Sequence, residues 1–554
     1  MQKMIGTRRR YKHWCFTWGI IWMLPVVACA QHLQADDTAV WTPDLGNVKY
    51  RNPVIYADYS DPDVCRVGND YYLVASSFDA VPGLPILHSR DLVNWTIIGH
   101  ALPRLIPEDH FAKTQHGNGV WAPAIRYRND SFYVYYPDPD FGIYLVKARH
   151  PQGPWTGPQL VMKGPGVIDP CPFWDDDGQA YLIHAYAGSR AGIKSILVIH
   201  KMNHAGTQVI DKGVIVYDGH GIDPTIEGPK LYKRHGYYYI FAPAGGVPQG
   251  YQLVLRSKHI YGPYERKVVM HQGNTSINGP HQGAWVQTPD GKQDWFIHFS
   301  DRGAYGRITY LEPMKWVNDW PIIGVDQNGD GIGEPVETYT RPHVGKVYPL
   351  RVPQTSDDFR AHELGLQWQW QANPDPTWYY LKAAGGLRLY ARPMPRQARN
   401  LWDVPNILMQ KFPAPAFCVT TKIHFYPLQV GDQAGMVIMG TSYARLSVEQ
   451  QSDGLHLMYV TCTHADEGHA EQIQVNDPLR DSTLWLRVRV DSPAICTFSY
   501  SLNGKDFIPI PGSFIAQPGK WIGAKVGIYC VGKQKSNDAG FADVDEFRVT
   551  PATD

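Results

Sequence analysis

The sequence predicts an all-β protein, a five-bladed β-propeller followed by a β-sandwich. Three observations carry that prediction. A strand–turn–strand unit occurs five times in the first part of the chain, no helical periodicity separates the copies, and beyond about residue 349 short strands continue while the repeat stops.

The clearest copy is Glu227-Gly-Pro-Lys-Leu-Tyr-Lys-Arg-His-Gly-Tyr-Tyr-Tyr-Ile-Phe-Ala242, a short strand, a polar turn and an aromatic strand. The others are Asp61-Pro-Asp-Val with Tyr71-Tyr-Leu-Val-Ala-Ser, Ala122-Pro-Ala-Ile with Phe132-Tyr-Val-Tyr-Tyr, Asp169-Pro-Cys-Pro-Phe with Tyr181-Leu-Ile-His-Ala, and His281-Gln-Gly-Ala-Trp with Trp295-Phe-Ile-His-Phe. Their first residues, 61, 122, 169, 227 and 281, are spaced by 61, 47, 58 and 54 residues, a blade-sized period. Each pair is joined by turn residues: Gly68-Asn-Asp, Asn129-Asp, Asp175-Asp-Asp-Gly, His235-Gly and Asp290-Gly. The innermost strand of every blade lines the axis, so the equivalent residues Asp61, Ala122, Asp169, Glu227 and His281 are expected to converge on one funnel. Three of these five are carboxylates. Taken singly, Asp before Pro is a turn starter; equivalence across blades is what makes these acids a site.

At 554 residues and 62.5 kDa the chain is too long for one ordinary domain. Its 52 basic and 52 acidic side chains cancel, which gives no electrostatic reason to expect nucleic acid or an anionic membrane as partner and favours a neutral substrate. The 18 Trp and 33 Tyr serve either as blade core or as flat platforms for sugar rings.

Residues 1–30 read as a secretory signal: Arg8-Arg-Arg10 and Lys12, a mostly apolar run from Phe16 to Val27, and Ala28-Cys-Ala30. Val26-Val-Ala-Cys29 also resembles a lipoprotein processing site, so membrane attachment is expected only if Cys29 is lipidated. Either route exports the protein, to the periplasm or beyond. The remaining Cys65, Cys171, Cys418, Cys462, Cys496 and Cys530 are too sparse for a disulfide scaffold.

The expected domains are a propeller over 31–349, a linker over 350–356 and a sandwich over 357–554. In the last, strands are predicted at Thr420 to Phe425, Gly435 to Met439, Leu484 to Val490, Ala524 to Val531 and Ala542 to Val549, with turns such as Ser452-Asp-Gly454 and Asn503-Gly-Lys505. The sandwich either binds sugar or packs against and stabilises the propeller.

Asn52-Pro-Val-Ile, Asp61-Pro-Asp-Val-Cys-Arg-Val-Gly-Asn-Asp-Tyr-Tyr, His88-Ser-Arg-Asp-Leu-Val-Asn-Trp95, Gly119-Val-Trp-Ala-Pro123, Ile168-Asp-Pro170 and Glu227-Gly-Pro229 resemble, in order and spacing, the motif set of glycoside hydrolase family 43. Gly365-Leu-Gln-Trp-Gln-Trp-Gln-Ala-Asn-Pro-Asp-Pro376 and Gly386-Leu-Arg-Leu389 resemble the concanavalin-like sandwich of its β-xylosidase branch. The resemblance implies Asp61 as general base, Glu227 as general acid and Asp169 as the residue that tunes and orients the acid. It also implies Phe78, Trp121 and Arg307 as pocket lining, and His281 as a residue near a water-bound axial cation. The bare residues leave Phe78 and Trp121 open between wall and core, and His281 open between site and satisfied core.

Glycoside hydrolysis needs a proton for the leaving oxygen and a second carboxylate on the opposite side of the sugar. A third carboxylate nearby raises a neighbour's pKa by repulsion and helps keep it protonated. The expected activity is therefore an exo-acting, inverting hydrolase that releases xylose or arabinofuranose from hemicellulose, or acts on arabinan or another plant polysaccharide. The competing class is a non-catalytic sugar-binding protein on the same scaffold. The chemistry calls for no cofactor. Asp326-Gln-Asn-Gly-Asp-Gly-Ile-Gly-Glu-Pro-Val-Glu337 has EF-hand calcium-loop spacing, with Asp326, Asn328, Asp330 and Glu337 as the ligand candidates, although Pro335 and the strand-rich surroundings argue against flanking helices. It is either a structural calcium loop or an empty Asp-Gly turn.

Overall fold

The computed structural model describes residues 39–533 and 537–552; the leader and Cys29 lie outside the described residues. Five sheets radiate around an axis. Blade one is Asp63–Val67, Asp70–Val74, Gly83–Ser89 and Trp95–Leu102; blade two is Ala124–Arg128, Ser131–Asp138, Gly142–Ala148 and Gln159–Lys163. Blade three is Val167–Trp174, Ala180–Tyr186, Ile196–Met202 and Val214–Asp218; blade four is Lys230–Arg234, Tyr237–Ala244, Tyr251–Ser257 and Glu265–Met270. Blade five is His281–Gln287, Asp294–Asp301 and Arg307–Val317, with Trp320–Ile323 paired to its third strand. Its remaining position on Arg307–Val317 is filled from the other end of the domain by Ile55–Asp58, which fastens the ring shut. That closure is invisible to a repeat search, because Ile55–Asp58 precedes the first copy.

Local chemistry explains the hairpins. Asn129-Asp130 and His235-Gly236 have positive φ at both central residues, the geometry that matches the twist of the flanking strands. Middle strands are apolar on both faces because each blade is covered by its neighbours. Ile183, Leu197, Leu231, Ile240 and Leu253 fill the space between blades three and four. Truncating one such residue to Ala costs about 2–5 kcal/mol, so blade stacking holds the ring together. Among the described residues the α-helical content is the single turn Gly188–Ala191, and no helix is long and apolar enough to cross a membrane.

The second domain is a sandwich of two eight-stranded sheets. Phe417–Tyr426 alternates, with Val419, Thr421, Ile423 and Phe425 turned inward, whereas Lys525–Gly532 is buried along its length. The two domains share an apolar cluster, in which Ile277, Tyr305, Ile308 and Tyr310 of the propeller pack with sandwich residues such as Phe412 and Val526. Tyr305 donates its hydroxyl hydrogen to Pro415 O at 2.7 Å and accepts from Ala494 N at 2.8 Å. Val81 and Trp370 exchange two backbone hydrogen bonds, and His116 stacks on Trp402 at 3.7 Å between ring centroids. The six described cysteines are free thiols.

Candidate active site

Asp61, Asp169 and Glu227 meet at the axial end of their blades on the wall of one pocket of about 270 Å³, together with Phe78, Trp121, His281 and Arg307. All eight axial and lining residues singled out from the sequence, with Ala122 on blade two, are thus brought together.

The backbone is bent to achieve this. Six pocket residues other than glycine have left-handed φ: Asp61 53°, Phe78 51°, Asp169 56°, Thr225 57°, Gln282 33° and Trp521 64°. Asp61 and Asp169 precede prolines, which disfavours helical backbone, and Thr225 is β-branched. Such conformations cost about 1–3 kcal/mol each and cluster where a side chain must be aimed. The ladder breaks in step with them: pairing in blade three skips between Ile168 and Cys171, and in blade five between His281 and Gly283. At Gly283 a Cβ would stand 1.8 Å from Ile297 O, so only glycine lets the inner strand approach that closely.

Asp61 is 5% exposed; it accepts from Ser76 Oγ at 2.5 Å and faces Arg307 Nη1 at 3.3 Å. Arg307 is in turn held by its backbone N–H on Asp58 at 2.9 Å, and its guanidinium lies between the rings of Phe299 and Trp521. Asp169 is 4% exposed and accepts from Gly228 N at 2.7 Å, so it grips the residue next to Glu227 and fixes where that side chain starts. Burial first, and then the negative charge of Glu227, push the Asp169 carboxyl well above its ordinary range; the Gly228 N–H opposes this, and Asp61 adds to it. With interacting carboxylates this close, the extra proton belongs to the cluster rather than to one member.

Glu227 is the more open acid, its side chain 24% exposed, and His281 Nε2 lies 2.9 Å from its Oε1. His281 therefore faces the Glu227 carboxylate through Nε2. Trp121 donates its indole N–H to Gly117 O at 2.9 Å and lies 6.5 Å from Phe78, so both rings are wall.

Gln282, Thr225, Trp521 and the turn Gly246-Val247-Pro248 line the pocket but were not singled out from the sequence. Gln282 and Thr225 sit on strained corners beside recognised motifs. Trp521 comes from the sandwich: the loop Gly519-Lys-Trp-Ile-Gly523 reaches over the propeller, Gly523 N donates to Asp58 Oδ2 at 3.0 Å, and the Trp521 ring meets Trp121 edge-on at 6.3 Å. A tryptophan between two glycines in an exposed turn was the available signal. Gln282 Nε2 and Arg307 Nε, on two of the pocket residues, are buried without a hydrogen-bond partner.

The Asp326 loop lies apart from the pocket. Asp326 accepts from Gly329 N and Gly331 N, Asn328 from Asp330 N, and Asp330 from Ile332 N, so these oxygens are engaged in the turn itself. Glu337 is turned to Ser276 Oγ at 2.7 Å, and among the described residues no cluster of three potential metal ligands is formed.

The chain is similar to known proteins over most of its length. The model for "Glycosyl hydrolases family 43" matches residues 50–321, and that for "Beta xylosidase C-terminal Concanavalin A-like domain" matches 356–550. A putative beta-xylosidase of Xylanibacter ruminicola is 39% identical over 89% of this chain and 88% of its own length. A beta-xylosidase of Formosa agariphila is 33% identical over 97% and 98%. A non-reducing end alpha-L-arabinofuranosidase of Bacteroides ovatus is 33% identical over 71% of this chain and 74% of its own length. Among solved structures, a xylan beta-1,4-xylosidase of Bacillus halodurans superposes with a TM-score of 0.80 at 25% identity, over 90% of this chain and 99% of the other. The two family models match successive parts of the chain, relatives above 30% identity match it over most of its length, and the chain belongs to glycoside hydrolase family 43.

Proposed function

We propose that this enzyme removes single xylose or arabinofuranose units from the non-reducing ends of hemicellulose chains with inversion at the anomeric carbon. The observation that carries this reading is the gathering of Asp61, Asp169 and Glu227 in one small pocket walled by Phe78, Trp121 and Trp521. A cavity of about 270 Å³ lies at the lower end of the size range for ligand sites; it suits one terminal sugar better than the middle of a chain. The names of the relatives divide between β-xylosidase and α-L-arabinofuranosidase, and both sugars are therefore included.

In the forward reaction Glu227 gives its proton to the glycosidic oxygen as the C–O bond breaks. Asp61 takes a proton from a water whose oxygen bonds to the anomeric carbon from the other side. Asp169 positions Glu227 through Gly228, and its own carboxyl, pushed up by burial and by the charge of Glu227, favours a proton on the cluster. His281 holds the acid in place from the side, and Arg307 holds Asp61 in its aim. After release, Glu227 regains a proton and Asp61 loses one to solvent.

The chemistry needs no cofactor. Calcium in the Asp326 loop would serve stability alone. Export belongs to the same proposal, since a polymeric substrate is met outside the cell; amino-terminal sequencing of the secreted protein decides between cleavage after Ala30 and a lipidated Cys29.

The direct test is Glu227→Gln on paired substrates. Aryl glycosides with activated leaving groups should lose little, whereas natural disaccharides, which need the proton, should lose about 10²–10⁴-fold in kcat/KM. Equal losses on both would overturn the acid assignment. A panel of aryl xylosides and arabinofuranosides, followed by product analysis on xylan, arabinoxylan and arabinan, identifies the sugar.

A further inference from the structure

Beneath the pocket floor lies a second polar tier. Lys230, three residues after Glu227 on the innermost strand of blade four, is fully buried and does not line the pocket. Its Nζ donates to Pro123 O, at the start of blade two, at 3.3 Å. Blades two and four are separated by blade three, whose inner strand packs against both. A side chain rooted in blade four that reaches blade two must cross the funnel, so the ammonium stands on or beside the propeller axis. Pro123 O is its one hydrogen-bond partner among the described residues, and no carboxylate lies within ion-pair distance of it. A buried ammonium with so little local compensation is costly and persists only where the field around it is negative.

That field is identifiable. On the pocket side stand Asp61, Asp169 and Glu227, with Arg307 on Asp61 and His281 on Glu227. On the far side Asp63 holds Arg126 at 2.6 Å, a pair that largely cancels, and Asp63 Oδ1 is left without a partner. Arg126 also reaches Cys171 Sγ at 2.8 Å, which closes this tier from blade three.

We propose that Lys230 is the built-in axial cation of this propeller, a positioning residue whose fixed charge sets how many protons the Asp61–Asp169–Glu227 cluster carries and hence the pH range over which the site works. This rests on the acid and base roles proposed above. Burial and mutual repulsion drive protons onto the carboxylates, and Lys230 acts against them, lowering the Asp169 carboxyl that its neighbours raise. Without that cation the cluster would hold its protons to higher pH. A cation built into the chain is always present, which a dissociable ion is not.

The test is the pH profile of kcat/KM for Lys230→Gln, which keeps a donor for Pro123 O and removes the charge. Both limbs should move upward, by about one pH unit for one unit charge lost at a separation of several ångströms. Lys230→Arg should return them toward the native positions, and methylammonium added to Lys230→Ala should do so in part. A purely structural lysine would lower the melting temperature of Lys230→Gln and leave both limbs unmoved, which overturns the proposal. Should Lys230→Gln fail to fold, the arginine variant and the rescue of Lys230→Ala carry the same reading, and absence of rescue overturns it. Glu227→Gln is profiled alongside. An alkaline limb that survives it removes the acid assignment, while the Lys230 shift remains readable on the acidic limb.

Discussion

Asp169 shows how a site is placed at the expense of stability. Its φ of 56° before Pro170 is strained, and its carboxyl is buried against Glu227. A carboxyl whose folded pKa is raised binds its proton more tightly in the folded state. Its contribution to stability is present at low pH and is lost as pH rises from the ordinary carboxylate range through the raised folded value. Asp169→Asn removes that loss while its side-chain oxygen still accepts from Gly228 N. The variant should therefore melt higher than the native protein at neutral pH, the gap should close as pH falls to about 4, and activity should collapse. A gap of constant size across this window, read by scanning calorimetry, would show that Asp169 carries no such penalty. Asp61 differs in its partners: Arg307 Nη1 and Ser76 Oγ both face its carboxyl group.

At the scale of single elements, two loops make opposite cases. The turn around Trp521 belongs to one domain by sequence and to the other by use, tied by Gly523 N to Asp58 and by Ala524 N to Ala304 O. Trp521→Ala should raise KM with little change in kcat, lowering kcat/KM by about tenfold, since a lost aromatic face is worth about 0.5–1.5 kcal/mol beyond its buried area. Melting temperature should hardly move, because the ring is 53% exposed. A fall in kcat alone would place the ring on the reaction path instead of the pocket wall. The Asp326 loop has ligand spacing, but its oxygens serve its own backbone. Calcium decides between the two readings: if the loop binds it, chelation should lower the melting temperature of the native protein and not of Asp330→Ala, and if both respond alike the loop is only a turn.

For the whole molecule, ring order sets stereochemistry. Asp61 and Glu227 belong to blades one and four, which blade five separates on one side and blades two and three on the other. Carboxylates so placed face each other across a funnel, the arrangement that leaves room for a water and requires a spacing of about 6.5–9.5 Å rather than about 5–5.5 Å. The first product seen by NMR should have the opposite anomeric configuration to the substrate, with negligible transfer to methanol. Retained configuration would make Asp61 a nucleophile or the pair wrongly chosen. The sandwich supports this geometry from outside, through Tyr305, Trp370 and Trp402.

The blade count, the hairpin turns and the convergence of Asp61, Asp169 and Glu227 were legible from residue order, because period, turn chemistry and blade equivalence are properties of local sequence. Five of the sandwich strands were legible for the same reason, as short strands bounded by turns. The closure of blade five by Ile55–Asp58, the turning of His281 onto Glu227, the reach of Lys230 across the axis and the arrival of Trp521 were not. Each depends on which surfaces meet once the chain has closed. Asp58 and Gly523, joined by one hydrogen bond, are separated by 465 residues, and no local pattern encodes a contact at that distance. The sequence by itself determined which chemical groups reach the axis; the tertiary structure decided what each of them touches there, because burial and partner charge exist only in the folded ring.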